Sequence, residues 1–295
     1  MPVDTIDLIL APYHVGVADF RVGAGPKCIL GQGLFEQLQA FGKTVTITEI
    51  ASVDNFEGEI GRSFEIIRRI ASAVASAEQR GSFPIILAGN CNATVGVAAG
   101  LSSDERQLVW FDAHSDLDTP DEALSGYFDG MGVSMLTGES WKALMATVPN
   151  HRPMKLDQIT YCGVRDLSDT QREKLDRSPA RVVYGDITGS CVHYANSLDQ
   201  ALKRSIAPSC LIHLDVDCLD TSVGYANEYA APGGLNEEDL ISCLDVVARR
   251  CAPVSLTVAS LNPHLRGSNA IANIATRAII HLIRKVGEID RHNEC

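Results

Sequence analysis

The sequence predicts an α/β protein, a three-layer α/β/α arrangement around a mostly parallel sheet of about eight strands. Apolar runs of four to six residues recur along the chain, and amphipathic stretches separate them. Strands that alternate with helices need crossover connections, which lay the strands parallel and put helices on both faces. No internal repeat or low-complexity linker interrupts the pattern, so residues 1–295 read as a single domain.

In chain order the strand candidates are IDLILA, KTVTITEI, FPIILAG, QLVWFDAH, QITYCGV, RVVYGDI, SCLIHLDVD and PVSLTVASLN. Each is a short apolar run of the kind a buried strand shows. Between the second and third lies GRSFEIIRRIASAVASA, where Phe64, Ile67, Ile70 and Val74 fall on one helical face. EEDLISCLDVVARR repeats the spacing with Leu240, Leu244 and Val247, and AIANIATRAIIHLIRKV supplies a closing helix.

Composition narrows the function. A net charge of −12 argues against a nucleic-acid partner, because phosphate binding needs a concentrated basic surface. No apolar run approaches the roughly 20 residues that span a bilayer. The start, MPVDTIDLILAPYH, lacks the basic segment and small-residue cleavage site of a signal peptide. The expectation is a soluble cytoplasmic protein. Its nine cysteines, at 28, 91, 162, 191, 210, 218, 243, 251 and 295, form no CxxC pair and mostly sit in apolar segments. They read as reduced, buried thiols.

In a parallel sheet, ligands bind beyond the carboxyl ends of the strands. The chemically informative residues of this chain stand where the apolar runs stop: Asn90-Cys91-Asn92, Asp112 to Asp116, Asp166, Asp215 to Asp217, and Ser260. In WFDAHSD, Asp112, His114 and Asp116 alternate, so an extended backbone turns all three to one side. HLDVD repeats the device with Asp215 and Asp217. An aspartate at a strand end also caps turns, but two such clusters converging make a cation the natural occupant. Mixed carboxylate and imidazole ligands suit Mn²⁺, with Fe²⁺, Co²⁺, Ni²⁺ or Zn²⁺ as alternatives. So many carboxylates suggest two ions sharing ligands, an arrangement that activates water for hydrolysis.

DAHSD, and LDVDCLD followed by a small-residue stretch and GGL, resemble the ureohydrolase family of arginases and agmatinases. RVGAGP, ITYCGVRD and VASLNP extend the resemblance over residues ~5–285. It implies an eight-stranded parallel sheet in a three-layer fold and two Mn²⁺ ions that activate hydroxide against a guanidinium or amidine carbon. By the same resemblance Asp112 and Asp215 bridge the ions, Asp116 completes one site, and His114 and Asp217 complete the other. Asp220 braces its loop from behind. The resemblance also implies a small-molecule substrate and a homo-oligomer, trimer or hexamer.

The departures from the family pattern lie at the site. Cys91 stands where the first histidine ligand is expected, and Asn90 replaces the aspartate before it. A thiolate can ligate a metal. The alternatives are a weakened or empty first site with a single ion, and a buried structural thiol. Asp118 and Ser125-Gly126 occupy the polar positions that follow, and Asp129 takes the place of the proton-shuttling histidine. Asp129 either moves protons, pairs with a cationic substrate, or is a solvated loop residue. Ser168 falls at the aspartate that holds the substrate amine, and Ser260 at the glutamate set against the guanidinium. Glu228 or Tyr229 is the candidate to enter the pocket from TSVGYANEYAAPGGL.

The expected activity is therefore hydrolysis of a C–N bond in a guanidino or amidine compound other than plain L-arginine, such as an N-hydroxylated or N-substituted arginine, in a specialised biosynthetic role. The expected catalytic residues are Asp118 and Asp129. The expected metal ligands are Cys91, Asp112, His114, Asp116, Asp215 and Asp217. The expected substrate contacts are Asp118, Ser125, Ser168, Glu228, Tyr229 and Ser260. Two alternatives stand beside it: a different metal-assisted reaction such as a cyclisation, and a non-catalytic regulatory relative.

Overall fold

The computed structural model describes residues 3–54, 58–103, 105–123, 125–186, 192–203 and 209–293. The eight strands of its main sheet are β1 (Thr5–Ala11), β2 (Thr44–Glu49), β3 (Phe83–Ala88), β4 (Arg106–Phe111), β5 (Ile159–Val164), β6 (Arg181–Tyr184), β7 (Ser209–Asp215) and β8 (Ala252–Ala259). They lie in the order β2-β1-β3-β8-β7-β4-β5-β6, and every pairing is parallel. All eight apolar runs form strands. A short antiparallel hairpin, Tyr13–His14 with Val17–Ala18, stands apart from this sheet.

Both faces of the sheet's centre are covered, so the central strands are apolar without alternation, while the edge strand β2 alternates and is largely exposed. Along β1, Ile6, Leu8 and Leu10 enter one core while Ile9 and Ala11 enter the other. The first core is closed by α5 (Glu237–Arg250) and α6 (Ser268–Asn293), with Leu240, Leu244 and Val247 buried as their spacing predicts. The second is closed by α1 (Glu59–Gln79) and α2 (Ala93–Gly100), with Phe64, Ile67, Ile70 and Val74 buried. Two shorter helices, α3 (Asp169–Arg177) and α4 (Tyr194–Leu202), follow β5 and β6. Cys91, Cys162, Cys210, Cys218, Cys243 and Cys251 are buried free thiols, Cys28 is half-buried, and Cys191 and Cys295 lie outside the described residues. No helix among the described residues is long and apolar enough to cross a membrane.

The fold positions the site through α2. This helix is buried along its whole length and begins directly after the Asn90–Asn92 turn at the end of β3. Gly96 and Gly100, one helical turn apart, let it press against α1. A Cβ on Gly96 would stand 2.5 Å from the Ile67 carbonyl oxygen, and one on Gly100 2.5 Å from that of Ala71. Gly96→Ala therefore forces two packed helices apart. We expect it to lower stability to urea by about 1–3 kcal/mol; an unchanged unfolding midpoint would show that the contact is not tight.

Candidate active site

The four central strands, β3, β8, β7 and β4, end side by side, and the loops that leave them meet in one place. From β3 comes Cys91, from β4 Asp112, His114 and Asp116, from β7 Asp215 and Asp217, and from β8 Ser260. Asp112, Asp215 and Asp217 are each at most 3 % exposed, and each is aimed by a fixed donor. The Trp110 indole donates to Asp112 Oδ2 at 2.8 Å, and the His114 amide to Oδ1 at 2.7 Å. The Asp217 amide donates to Asp215 Oδ1 at 2.7 Å. Asp217 accepts from the Ala113 amide at 3.1 Å and from Asn227 Nδ2 at 2.9 Å.

Two groups of donor atoms converge. One atom from each of Cys91, Asp112, His213 and Asp215 lies within 4.8 Å of the others, and Asp112, His114 and Asp217 form a second such group. In the first, Cys91 Sγ donates to Asp215 Oδ2 at 2.9 Å and lies 3.1 Å from Ser260 Oγ. In the second, His114 Nδ1 stands 3.3 Å from oxygens of both Asp112 and Asp217, with Nε2 3.5 Å from Asp166. Asp116 is buried beside these groups in neither of them, and it holds a left-handed φ of 47°. Ser260, at φ 68°, shares that conformation. For residues other than glycine this costs on the order of 1–3 kcal/mol each, and such strain collects at functional sites.

Electrostatics favour a cation. Burial, then the neighbouring carboxylates, push Asp112, Asp116 and Asp215 above the ordinary carboxylate range. Burial acts the same way on Asp217, but the His114 imidazole and the Asn227 and Ala113 hydrogen bonds outweigh it and hold that carboxyl low. Burial and the surrounding aspartates push the Cys91 thiol up. Like charges this close cannot all ionise in a dry site without a positive partner. Burial pushes the His114 imidazole down, but Asp217, Asp112 and Asp166 outweigh it and raise it well above its ordinary value, so it supplies one positive charge against several carboxylates. Arg165 is buried nearby, yet its guanidinium is spent on carbonyl oxygens, those of Gly163, Asp217, Leu219, Ala231 and Pro232 among them. The side chains fit a metal on one further ground. His213 is fully buried with Nε2 unpartnered among the described residues, an omission worth about 1–3 kcal/mol unless something fills it.

Above the donor groups opens a cavity of about 140 Å³. Of the residues expected at the site, Cys91, His114, Asp116, Asp118, Ser125, Asp129, Asp215, Asp217, Tyr229 and Ser260 line it. Ser168 does not. Its hydroxyl caps α3, accepting from the Gln171 amide, and it is Gln171 that reaches the cavity, where its amide nitrogen spans both oxygens of Asp118. Glu228 is turned away to pair with Arg21 at 3.0 Å and to accept from Asn262. Tyr229 is the member of that pair at the cavity, where it joins Tyr127 with ring centroids 5.1 Å apart. Asp220 ties the loop between these residues, accepting from the Ser222, Gly233 and Gly234 amides.

Asp129 is not a solvated loop residue: it is 4 % exposed. Asn90 Nδ2 donates to its Oδ2 at 2.6 Å and the Asn92 amide to its Oδ1 at 3.0 Å. Burial pushes this carboxyl up to about 6, against the hydrogen bonds from Asn92 and Asn90. An aspartate at position 90 would set two carboxylates face to face, so Asn90 and Asp129 are a matched pair.

Sequence reasoning passed over His213, Tyr127, Gln171 and Asn227. His213 sits inside the apolar run of β7 and reads as core. Only the rarity of an imidazole inside such a run, two residues before Asp215, could have marked it.

The sequence matches the arginase family over residues 5–285. An arginase from Eremothecium gossypii is 29% identical over 286 residues, covering 88% of this chain and 69% of that protein. An arginase from Staphylococcus aureus is 25% identical over 290 residues, covering 93% and 95%. The crystal structure of the Bacillus caldovelox arginase superposes with a TM-score of 0.84 at 20% identity, covering 96% of this chain and 98% of that one, a likeness of fold.

The raised Asp129 carboxyl has a thermodynamic consequence. The folded chain keeps a proton up to about pH 6 that the unfolded chain releases near its ordinary value of 3.8. The resulting stabilisation is complete below the unfolded value and is lost as pH rises through about 6. In metal-free protein, Asp129→Asn should flatten the fall in unfolding free energy between acid and neutral pH by on the order of 2–3 kcal/mol. Parallel pH profiles for the two proteins would contradict this account.

Proposed function

The chain belongs to the arginase family, and on that premise we propose that it is a metal-dependent hydrolase cleaving a C–N bond of a guanidino or amidine compound other than plain L-arginine. An N-hydroxylated or N-substituted arginine is the favoured class. The observation that supports this most is the cavity wall. Five aspartates line it, at 116, 118, 129, 215 and 217, with no lysine or arginine among the described residues, so it suits a cationic ligand above a metal.

Asp112, Asp215 and Cys91, with Asp116 beside them, would hold one ion, and Asp112, His114 and Asp217 the other, with Asp215 shared between them as the family resemblance implies; Mn²⁺ suits the oxygen-rich second set. When bound, the ions supply Lewis acidity and bring the pKa of water toward neutrality.

The chain's own residues do the rest. Asp118, held by Gln171, meets the positive charge of the substrate, and Ser125 lines the same cavity. The Tyr127 and Tyr229 rings flank the entrance and can pack on a guanidinium face. Asp129, whose carboxyl burial raises above the ordinary range, is the residue that fits the role of general acid toward the departing amine. At the deep end, Ser260 offers a hydroxyl against Cys91 where the family resemblance expects a glutamate. A guanidinium nitrogen there loses a charge-assisted hydrogen bond, and a substituted nitrogen, such as a hydroxylated one, gains a partner of matching polarity. A homo-oligomer in the cytoplasm acting on a small molecule completes the reading.

Two measurements test it. In a screen of guanidino compounds for release of urea or substituted ureas, we expect a substituted guanidine to be turned over and chelation to abolish the activity. L-Arginine should show a kcat/KM about 10- to 100-fold lower, the equivalent of one charged hydrogen bond. Cys91→Ser should bind less metal and Cys91→His should keep it, read by elemental analysis. A protein that carries no metal and releases no urea from any guanidino compound would sink the proposal.

A further inference from the structure

A second imidazole stands at the metal-binding groups, from a position the family motifs do not assign. His213 is fully buried in β7. Its ring stacks on Trp110 of the adjoining strand, centroids 3.6 Å apart, which fixes the plane of the imidazole. Its Nδ1 lies 2.7 Å from Thr94 Oγ1 on α2, and its Nε2 has no partner among the described residues. A neutral imidazole carries one N–H and one lone pair. If Nδ1–H donates to Thr94, the lone pair falls on Nε2, which is how a second partner sets the tautomer of a metal-binding histidine. One donor atom of this ring lies within 4.8 Å of donors from Cys91, Asp112 and Asp215. A core residue needed only to stack on Trp110 would be an aromatic hydrocarbon; an imidazole buries a nitrogen that must be used.

We propose that His213 is a ligand of the first metal site, which with Cys91, Asp112 and Asp215 forms a thiolate–imidazole–carboxylate site suited to Zn²⁺ or Co²⁺ in preference to Mn²⁺. The proposal rests on the metallohydrolase reading and changes what the first site is. Sulfur and nitrogen donors favour the later first-row metals, while Asp112, His114 and Asp217 remain a harder set. The chain thus carries a thiolate at position 91, after β3, and supplies an imidazole from β7, the next strand but one in the sheet. On ligation the Cys91 S–H bond breaks, a sulfur–metal bond forms, and the proton leaves to solvent, so the hydrogen bond to Asp215 is given up.

The test is cobalt titration of chelator-stripped full-length protein, read by absorption. Wild type should develop a thiolate-to-cobalt charge-transfer band. His213→Ser should weaken binding at that band at least about 10-fold and alter the ligand-field bands. Thr94→Val should weaken it in the same direction, and Asp217→Asn should leave the band in place. A band of unchanged shape and affinity in His213→Ser overturns the role of His213 and leaves the hydrolase reading standing. Wild type that binds neither cobalt nor zinc overturns both. If His213→Ser does not fold, X-ray absorption of wild type loaded with one equivalent of zinc decides. Sulfur and imidazole in one coordination sphere support the proposal; sulfur without imidazole, or no sulfur, overturns it.

Discussion

Buried negative charge is the constraint on which the site depends. Asp112, Asp116, Asp129, Asp215 and Asp217 lie together in a region almost closed to water, with a thiol among them. The guanidinium of Arg165, buried close by, is occupied by carbonyl oxygens. Every neighbour responds to that crowding. Backbone amides, the Trp110 indole and the Asn90 and Asn227 side chains each hold one carboxylate oxygen in place. These donors orient the carboxylates without neutralising them, and the single charge of His114 offsets only one, which leaves the rest of the neutralising role to a cation.

The frame that creates this crowding was legible in the sequence because a parallel sheet buried on both faces writes itself as short apolar runs. Each of the eight runs became a strand, and the helical faces at Phe64 to Val74 and Leu240 to Val247 face the two cores. The carboxylates were legible for the same reason. Loops leave a parallel sheet at the strand ends, so a polar cluster that closes an apolar run is already placed at the binding edge. The spacing of Asp112 and His114, and of Asp215 and Asp217, then needed only the register that pairs Phe111 with Leu214 to bring the clusters together.

What escaped the sequence depends on distances between loops or on exceptions inside a strand. Ser168 aligned with a substrate-binding position, but a serine before Asp169 also caps a helix, and capping took its side chain. Glu228 and Tyr229 are adjacent in sequence, and only the placement of Arg21 decides that the glutamate turns away. Asp129 read as well for a loop as for a site because its burial comes from the turn at Asn90, which is distant in the chain. His213 was hidden by its own strand, since an apolar run around a histidine argues for core packing.

The changes at the site are paired in space although they are scattered in sequence. Asn90 and Asp129 share a hydrogen bond that two carboxylates could not make. Cys91 and Ser260 touch, and Cys91 stands in the same donor group as the unpartnered imidazole of His213. A site losing function without constraint would shed donors independently, and each loss would strand a neighbour in the dry interior at a cost of about 1–3 kcal/mol. Here Asn90 meets Asp129 and Cys91 meets Ser260, and the buried carboxylates at 112, 116, 215 and 217 surround them. That pattern supports the proposed reading, a site fitted to a different ligand, over a scaffold that merely kept the fold.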